Sequence, residues 1–221
     1  MMETTDLRLL FEKKGRAKYI SHLDLSAAMS RAFVRSGVPV YYTQGFHPHI
    51  YLNFLLPLSL GYESSCEMVD FRVEATFFDP AQILESLRKV LPEGLRPLAV
   101  YPPTMKGNLI AFAKYRIVIS FDDIGNNYGN AIADYFAQNE ILAVKKTKRQ
   151  EISVDLAKLC KVQIIETNAV NATFDAVLPA GNESINPSVL LDSLCDYLYS
   201  PYDSVSVERL FVYDENMAIF H

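Results

Sequence analysis

Apolar residues recur at helical spacing in four stretches of the chain and cluster or alternate in several shorter ones. The clearest helical stretch follows Ser21 and collects four apolar residues on one face, at i, i+4, i+7 and i+8: Leu25, Met29, Ala32 and Phe33. Ser21 and Asp24 form a capping-box pattern at its start, and Gly37 supplies the usual stop. The pattern therefore predicts a helix that begins directly after Ser21 and ends before Gly37.

The remaining helical stretches are residues 79–91, 127–139 and 187–198. Pro80 and Pro187 fall in the first turn of their helices, where a missing backbone N–H costs nothing. The extended stretches are rich in β-branched and aromatic residues or alternate between apolar and polar positions. In chain order they are residues 7–11, 17–20, 38–43, 50–56, 66–77, 95–101, 115–121, 141–144, 161–166, 173–178 and 204–213.

The predicted elements run twice through a similar order of strand, helix, strand, strand, helix, strand. We therefore expect an α+β protein built from two tandem ferredoxin-like βαββαβ halves with antiparallel sheets. Pro102-Pro103 and Lys106-Gly107-Asn108 mark the boundary, since proline and glycine interrupt the pattern there. The expected domains are residues 1–105 and 106–221.

Composition is that of an ordinary globular protein, with half of the 221 residues hydrophobic and 21% charged. No apolar run approaches the roughly 20 residues of a membrane helix. The N-terminus has no basic region leading into an apolar core, as a secretory signal would. Three widely separated cysteines, Cys66, Cys160 and Cys195, favour buried free thiols over a disulfide framework. These features predict a cytoplasmic protein.

The net charge of −5 is spread unevenly along the chain. Residues 1–113 hold 12 Lys and Arg against 11 Asp and Glu, giving +1, and residues 114–221 hold 9 against 15, giving −6. An acidic chain binds nucleic acid poorly in general, because phosphate binding comes mainly from Lys and Arg. One local basic cluster forms a predicted basic lip beside the first helix start: Lys13, Lys14, Arg16 and Lys18. A second, residues 145–149, is better explained as a charged, solvated strand end than as a nucleic-acid contact, which is the alternative.

Polar and aromatic residues concentrate at the start of the first helix and between residues 41 and 49. If the strands before and after this helix are neighbours, the two clusters meet near one end of the sheet. The candidate binding groove comprises Tyr19, Ser21, His22, Asp24, Arg31, Tyr42, Gln44, Gly45, Phe46, His47 and His49. Within it we expect His22, Gln44 and His49 to converge, near Arg31 or Tyr42.

His22 is the candidate for acid or base chemistry, since an imidazole titrates near neutral pH. The alternative is a first-turn histidine that hydrogen-bonds only locally, just as Asp24 can be explained as a capping acid. His22, His47 and His49 offer three imidazoles, but no Cys or Glu follows at a spacing diagnostic of metal. We therefore predict no metal and no cofactor, and no nucleotide-binding or hydrolase motif occurs.

Six short motifs follow one another along the first third of the chain. They are Tyr19-Ile20-Ser21-His22-Leu23-Asp24-Leu25, Arg31-Ala32, Gly37-Val38-Pro39, Gln44-Gly45-Phe46-His47-Pro48-His49, Pro57-Leu58-Ser59-Leu60-Gly61 and Glu67-Met68-Val69-Asp70. In this order they resemble the radical-SAM-linked proteins, a bacterial family of unknown function. His47 stands where that family usually has Asn, and Asn186 stands where it has a basic residue.

The resemblance implies the stand-alone linked domain without the radical SAM enzyme, because the cluster-binding cysteine triad is absent. A radical SAM protein is thus an implied partner, and RNA is the other candidate partner. Tandem ferredoxin-like halves with a histidine near the first helix are also similar in architecture to CRISPR repeat-associated RNA-binding proteins.

Three hypotheses of function follow from these features. The leading one is a non-catalytic accessory module that binds RNA or an RNA-modifying radical SAM protein. The second is a metal-independent endoribonuclease or RNA-modifying enzyme that uses His22 as acid or base. The third is a structural domain that binds a protein partner.

Overall fold

The computed structural model describes residues 3–75, 79–122, 126–146 and 150–221. It is an α+β protein with mostly antiparallel sheets, as predicted. In chain order the elements are β1 (Thr4–Lys13), α1 (His22–Ser36), β2 (Leu52–Phe54), β3 (Glu63–Glu74), α2 (Pro80–Arg88), β4 (Leu95–Tyr101), β5 (Phe112–Ser120), α3 (Tyr128–Phe136), β6 (Leu142–Lys146), β7 (Glu151–Asp155), α4 (Leu156–Leu159), β8 (Lys161–Thr167), β9 (Asn171–Pro179), α5 (Pro187–Leu198) and β10 (Ser204–Tyr213). The chain divides into two compact units, Met1–Asn108 with His221 and Leu109–Phe220.

Unit 1, the first of these, carries β1 to β4 with α1 and α2. Its strands lie in the order β4-β1-β3-β2. Alternate residues of β1 (Leu7, Leu9 and Phe11) face a core that the apolar sides of α1 and α2 complete. The predicted face of α1 is the buried one, with Leu25, Met29, Ala32 and Phe33 inside.

Unit 2, residues 109–220, carries β5 to β10 with α3, α4 and α5. Its main sheet has the order β10-β5-β9-β8, and the β6–β7 hairpin forms a separate two-stranded sheet between α3 and β8 in the chain. Alternate residues of β5 (Ala113, Tyr115, Ile117 and Ile119) are buried, as the alternating pattern predicts. On α5 the buried face contains Leu190, Leu191 and Leu194.

Two predicted strands of unit 1 are wrong. Residues 17–20 are not extended, because Gly15–Tyr19 form a 3-10 helix in which Ala17 donates a backbone hydrogen bond to Lys14. Residues 38–43 make only two isolated β-bridges, which fits Pro39, whose nitrogen cannot donate to a ladder.

Other differences are smaller. The apolar pattern predicts neither β7 nor α4, which are only five and four residues long. The last two residues of the predicted strand 66–77 lie outside the described residues, as do residues 147–149 of the second basic cluster.

None of the three cysteines forms a disulfide. Cys160 is buried, and burial raises the pKa of its thiol to about 12. Cys66 and Cys195 are half-buried, and burial also raises the pKa of Cys195. A thiol with a raised pKa is a poor nucleophile, which argues against a nucleophilic role for Cys160 and Cys195. Within the described ranges, no helix is both long and apolar enough to cross a membrane.

Candidate functional site

The start of α1 is fixed by a side-chain cap. The Ser21 hydroxyl accepts a hydrogen bond from the Asp24 backbone nitrogen at 3.1 Å and donates to the Asp24 carboxylate at 2.7 Å. These bonds satisfy a backbone donor that the helix leaves open, which explains both residues structurally. At the other end, Gly37 adopts the left-handed conformation with a φ of 72°.

His22 is the first residue of α1, and its side chain is exposed. Its ring packs edge-to-face on Phe54 of β2, with 5.2 Å between the ring centroids. Phe54 in turn contacts the core residue Phe11, edge-to-face at 6.5 Å. The imidazole is therefore oriented by an aromatic contact at the rim of the unit 1 core.

The second predicted cluster forms a closed loop, residues 43–49, which we call the Phe46 loop. An isolated bridge between Tyr42 and Ile50 flanks its base. The Thr43 backbone nitrogen donates to the His49 carbonyl at 2.8 Å, and the His49 nitrogen donates to the Thr43 hydroxyl at 3.2 Å. These two bonds close the base of the loop and keep its ends together.

His49 is a structural part of the Phe46 loop. Its Nδ1 lies 3.1 Å from the His47 carbonyl and 3.0 Å from the Thr43 hydroxyl. A carbonyl only accepts, so the bond to His47 requires the proton on Nδ1 and leaves Nε2 of the neutral ring as an acceptor. Gly45 has a φ of 139°, a backbone conformation that favours glycine.

Phe46 stands at the tip of this loop with its side chain fully exposed, at 102% of the reference area. Gln44 and His47 on either side are exposed as well, and Tyr42 at the base is 45% exposed. An aromatic ring that contributes nothing to the core, on a loop held closed by hydrogen bonds, is a ready surface for stacking.

His22 and the Phe46 loop lie at opposite ends of one short stretch of chain. His22 contacts Phe54, and Ile50, the bridge residue that follows the loop, lies four residues earlier in the chain. Extended backbone of that length spans roughly 13 Å. The convergence of His22, Gln44 and His49 stays a prediction.

Arg31 is exposed, but α1 carries it away from His22. The two residues are nine positions apart, which is two and a half helical turns, so they lie on opposite sides of the helix. Arg31 therefore does not join the histidine end of the candidate groove.

The predicted basic lip is largely neutralised by its surroundings. Lys13 ends β1 with only 2% exposure, and its amine lies 3.5 Å from the Lys18 carbonyl. Lys14 pairs with Glu12 and Lys18 pairs with Glu63, both at 3.7 Å. Only Arg16 is exposed without an ion pair among the described residues. A phosphate arriving here would meet one uncompensated cation instead of four.

Three large apolar side chains of unit 1 are exposed, and only one of them, Tyr19, belongs to the predicted groove. Tyr19 is 68% exposed, Leu23 80% and Leu60 63%. A backbone bond of 2.8 Å from Gly61 to the Lys18 carbonyl joins the segments that carry Leu60 and Tyr19, and the Lys18 amine lies over the Tyr19 ring. Leucines in sequence motifs are normally core residues, so only the structure reveals this apolar patch.

In the part of the chain that the structure describes, no three His, Cys, Asp or Glu side chains are grouped as a metal ion requires. His47 and His49 meet only through the carbonyl-to-ring contact inside the Phe46 loop.

Comparison with known proteins gives one sequence match and no curated relative. Residues 6–187 match the family described as "Uncharacterized protein conserved in bacteria (DUF2344)". No curated protein matches the chain.

Solved structures align over most of the chain but superpose poorly. An unknown protein from Galdieria sulphuraria is 11% identical, with 94% of this chain and 99% of that one covered and a TM-score of 0.28. A heavy metal efflux pump is 10% identical, with 93% and 28% of the two chains covered and a TM-score of 0.27.

Proposed function

We propose that this chain, which belongs to the DUF2344 family of uncharacterized proteins conserved in bacteria, is a non-catalytic module that binds single-stranded RNA on unit 1. One observation carries the proposal: Phe46 is fully exposed at the tip of a loop whose base is closed by hydrogen bonds. Base stacking on exposed aromatic rings is the usual way in which proteins hold single strands with little sequence preference. Gln44 and His47 beside the ring offer hydrogen bonds to base edges.

The cationic part of the proposed interface is small. Arg16 is exposed and supplies one phosphate contact, and the Tyr19 ring beside it offers a second stacking surface next to the Lys18 amine. Stacking therefore supplies more of the binding energy than phosphate contacts do. This balance fits a chain whose net charge is −5.

The proposal includes a ferredoxin-like architecture for each half, with domains at residues 1–105 and 106–221. Its support is the strand order, which is β4-β1-β3-β2 in unit 1 and β10-β5-β9-β8 in unit 2. In both units the first and third strands of the βαββαβ series are central, as that architecture requires. CRISPR repeat-associated RNA-binding proteins are similar in this architecture, which is an analogy of fold.

Phe46→Ala is expected to weaken binding of an unstructured single-stranded RNA about 5- to 150-fold, the loss of one stacked base. Fluorescence anisotropy of a labelled oligonucleotide on the full chain measures it. The slope of log affinity against log salt concentration should be near −0.7, corresponding to one phosphate contact, and Arg16→Gln should flatten it.

Tyr199→Asn is the matched control for Phe46→Ala. Tyr199 lies in unit 2, is 96% exposed and has a φ of 50°, a conformation that Asn tolerates. It should leave the RNA affinity unchanged. No binding at low salt, or equal affinity for Phe46→Ala and the unmodified chain, would contradict RNA binding through the Phe46 loop.

The alternative enzyme hypothesis makes a different prediction for His22. We expect any cleavage of single-stranded RNA by the purified chain to be unchanged by His22→Ala, because the imidazole packs edge-to-face on Phe54. A gel assay with metal chelated throughout measures cleavage. Activity that disappears in His22→Ala would support the endoribonuclease hypothesis instead.

The apolar patch of Tyr19, Leu23 and Leu60 favours a second candidate function, docking of a protein partner. The resemblance to radical-SAM-linked proteins makes a radical SAM protein the partner to test. The uncharged variants Leu23→Asn and Leu60→Asn should then abolish its binding in calorimetry while the RNA affinity of the chain stays within twofold. Retained partner binding in both variants would exclude this patch.

A further inference from the structure

Unit 2 contains a cavity of about 620 Å³ between α5 and the β6–β7 hairpin. This volume lies within the range of small-molecule sites. Four carboxylates line it, from three separate segments: Glu140, Glu151, Asp192 and Asp196. The described lining includes one cation, Lys146, which lies 3.9 Å from Glu151 and offsets that carboxylate.

Two of these carboxylates are held together by the helix. Asp192 and Asp196 are four residues apart on α5, so they share one face of it, and both are exposed. Like charges at this spacing repel each other and destabilise a helix. A cation bound between them relieves the repulsion, whereas the α5 fold gains nothing from the pair.

A buried hydroxyl provides an independent observation. Tyr135 lines the cavity and is only 2% exposed. Its hydroxyl has no hydrogen-bond partner among the described residues. Burial raises the pKa of Tyr135 to about 12, although the neighbouring Ser193 side chain acts in the opposite direction. The phenol therefore stays neutral and can accept a hydrogen bond from a ligand.

The remaining walls suit an organic cation rather than a bare ion. Tyr197 lines the cavity, and its ring lies 5.2 Å from the Tyr135 ring at a tilt of 50°, which offers an aromatic face to a cation. Val144 and Val189 supply apolar surface for a methylene chain.

We infer that this cavity binds a small organic ammonium. The carboxylates of Asp192, Asp196 and Glu140 pair with its positive charge. The Tyr135 hydroxyl and the Tyr197 ring contact the same nitrogen-bearing end. The ammonium belongs either to a free aliphatic amine or to a lysine side chain of another protein. The site lies wholly in unit 2 and does not depend on RNA binding by unit 1.

Isothermal titration calorimetry of the full chain with 1,5-diaminopentane should show saturable binding to one site. Asp192→Asn and Asp196→Asn should each weaken it about tenfold or more, because each removes a charge-assisted contact. Asp134→Asn is the matched control, since Asp134 is exposed on α3 and does not line the cavity. It should bind like the unmodified chain, and neutral 1,5-pentanediol should not bind.

Tyr135→Phe separates a ligand contact from a structural role. It removes only the hydroxyl, so the affinity should fall about 3- to 10-fold while the melting temperature stays equal or rises. A lower melting temperature with unchanged affinity would overturn the assignment of Tyr135.

The source of the ammonium is decided by a second probe, Nα-acetyl-lysine amide, which carries the ammonium of a protein side chain. Saturable binding of either probe that is lost in Asp192→Asn supports the site. The probe that binds more tightly identifies the source of the ammonium. The inference would be overturned if neither probe gave saturable heat, or if Asp192→Asn bound the probe as tightly as the unmodified chain. It would also be overturned if magnesium chloride at matched ionic strength gave the same heat as the probe.

Discussion

Asp70→Ala is expected to lower the free energy of unfolding by about 3 to 5 kcal/mol, the cost of removing one partner from a buried ion pair. Arg8 is fully buried on β1, and its guanidinium donates to both Asp70 carboxylate oxygens, at 2.6 and 3.1 Å. The guanidinium also donates to the Met105 carbonyl at 2.9 Å, which holds it in place when the carboxylate is lost. Urea denaturation of the full chain measures the change.

Asp6→Ala provides the matched control on the same strand pair. Asp6 pairs with Arg72 between β1 and β3, as Asp70 pairs with Arg8, but the Asp6 side chain is 53% exposed and the Arg72 side chain 37%. An exposed ion pair contributes little to stability, so the free energy of unfolding of this variant should fall by about 1 kcal/mol or less. If Asp6→Ala and Asp70→Ala lowered the free energy of unfolding equally, the burial of Arg8 would not be the cause of the larger loss expected for Asp70→Ala.

Gly94→Ala is expected to lower the free energy of unfolding by about 2 to 4 kcal/mol, because it strains the backbone and introduces a steric clash. Gly94 has a φ of 85°, and a Cβ there would lie 2.6 Å from the Lys14 carbonyl oxygen and 2.8 Å from the Ala17 Cβ. The Gly94 carbonyl also accepts the Lys14 backbone hydrogen bond. Thermal or urea denaturation measures the loss, and the RNA affinity should fall with it because the displaced 3-10 helix carries Arg16 and Tyr19.

The control for Gly94→Ala is Gly37→Ala. Gly37 has a similar φ of 72°, but no atom lies within 4 Å of its Cβ position. Its free energy of unfolding should fall by only about 1 kcal/mol, the cost of the left-handed backbone conformation without a clash, and its RNA affinity should not change. A Gly94→Ala variant no less stable than Gly37→Ala would contradict the close approach of residue 94 to the 3-10 helix.

Local signals predict the regular elements of this chain well. The capping box and the apolar spacing locate α1 to the residue at both ends, and Pro187 marks the first residue of α5. The short 3-10 helix Gly15–Tyr19 escapes such signals, because its position depends on Gly94, a residue far along the chain. A sequence pattern has no access to that contact.

The candidate site shows the same division between local and distant causes. Lysine positions are visible in sequence, but Glu63, which pairs with Lys18, comes from β3, and the buried position of Lys13 follows from the packing of β1. The basic lip therefore looks stronger in sequence than in the fold. The exposure of Phe46 is equally hidden, since aromatic residues between strands are more often buried.

The most direct measurement of RNA binding at the Phe46 loop uses tryptophan fluorescence. The chain contains no tryptophan, so Phe46→Trp places a single indole at the loop tip. We predict that this variant binds single-stranded RNA with an affinity equal to that of the unmodified chain, or higher, and that its emission is quenched saturably as a base stacks on the ring. RNA binding that leaves the emission unchanged, or no binding at all, would contradict the claim that the Phe46 loop holds RNA.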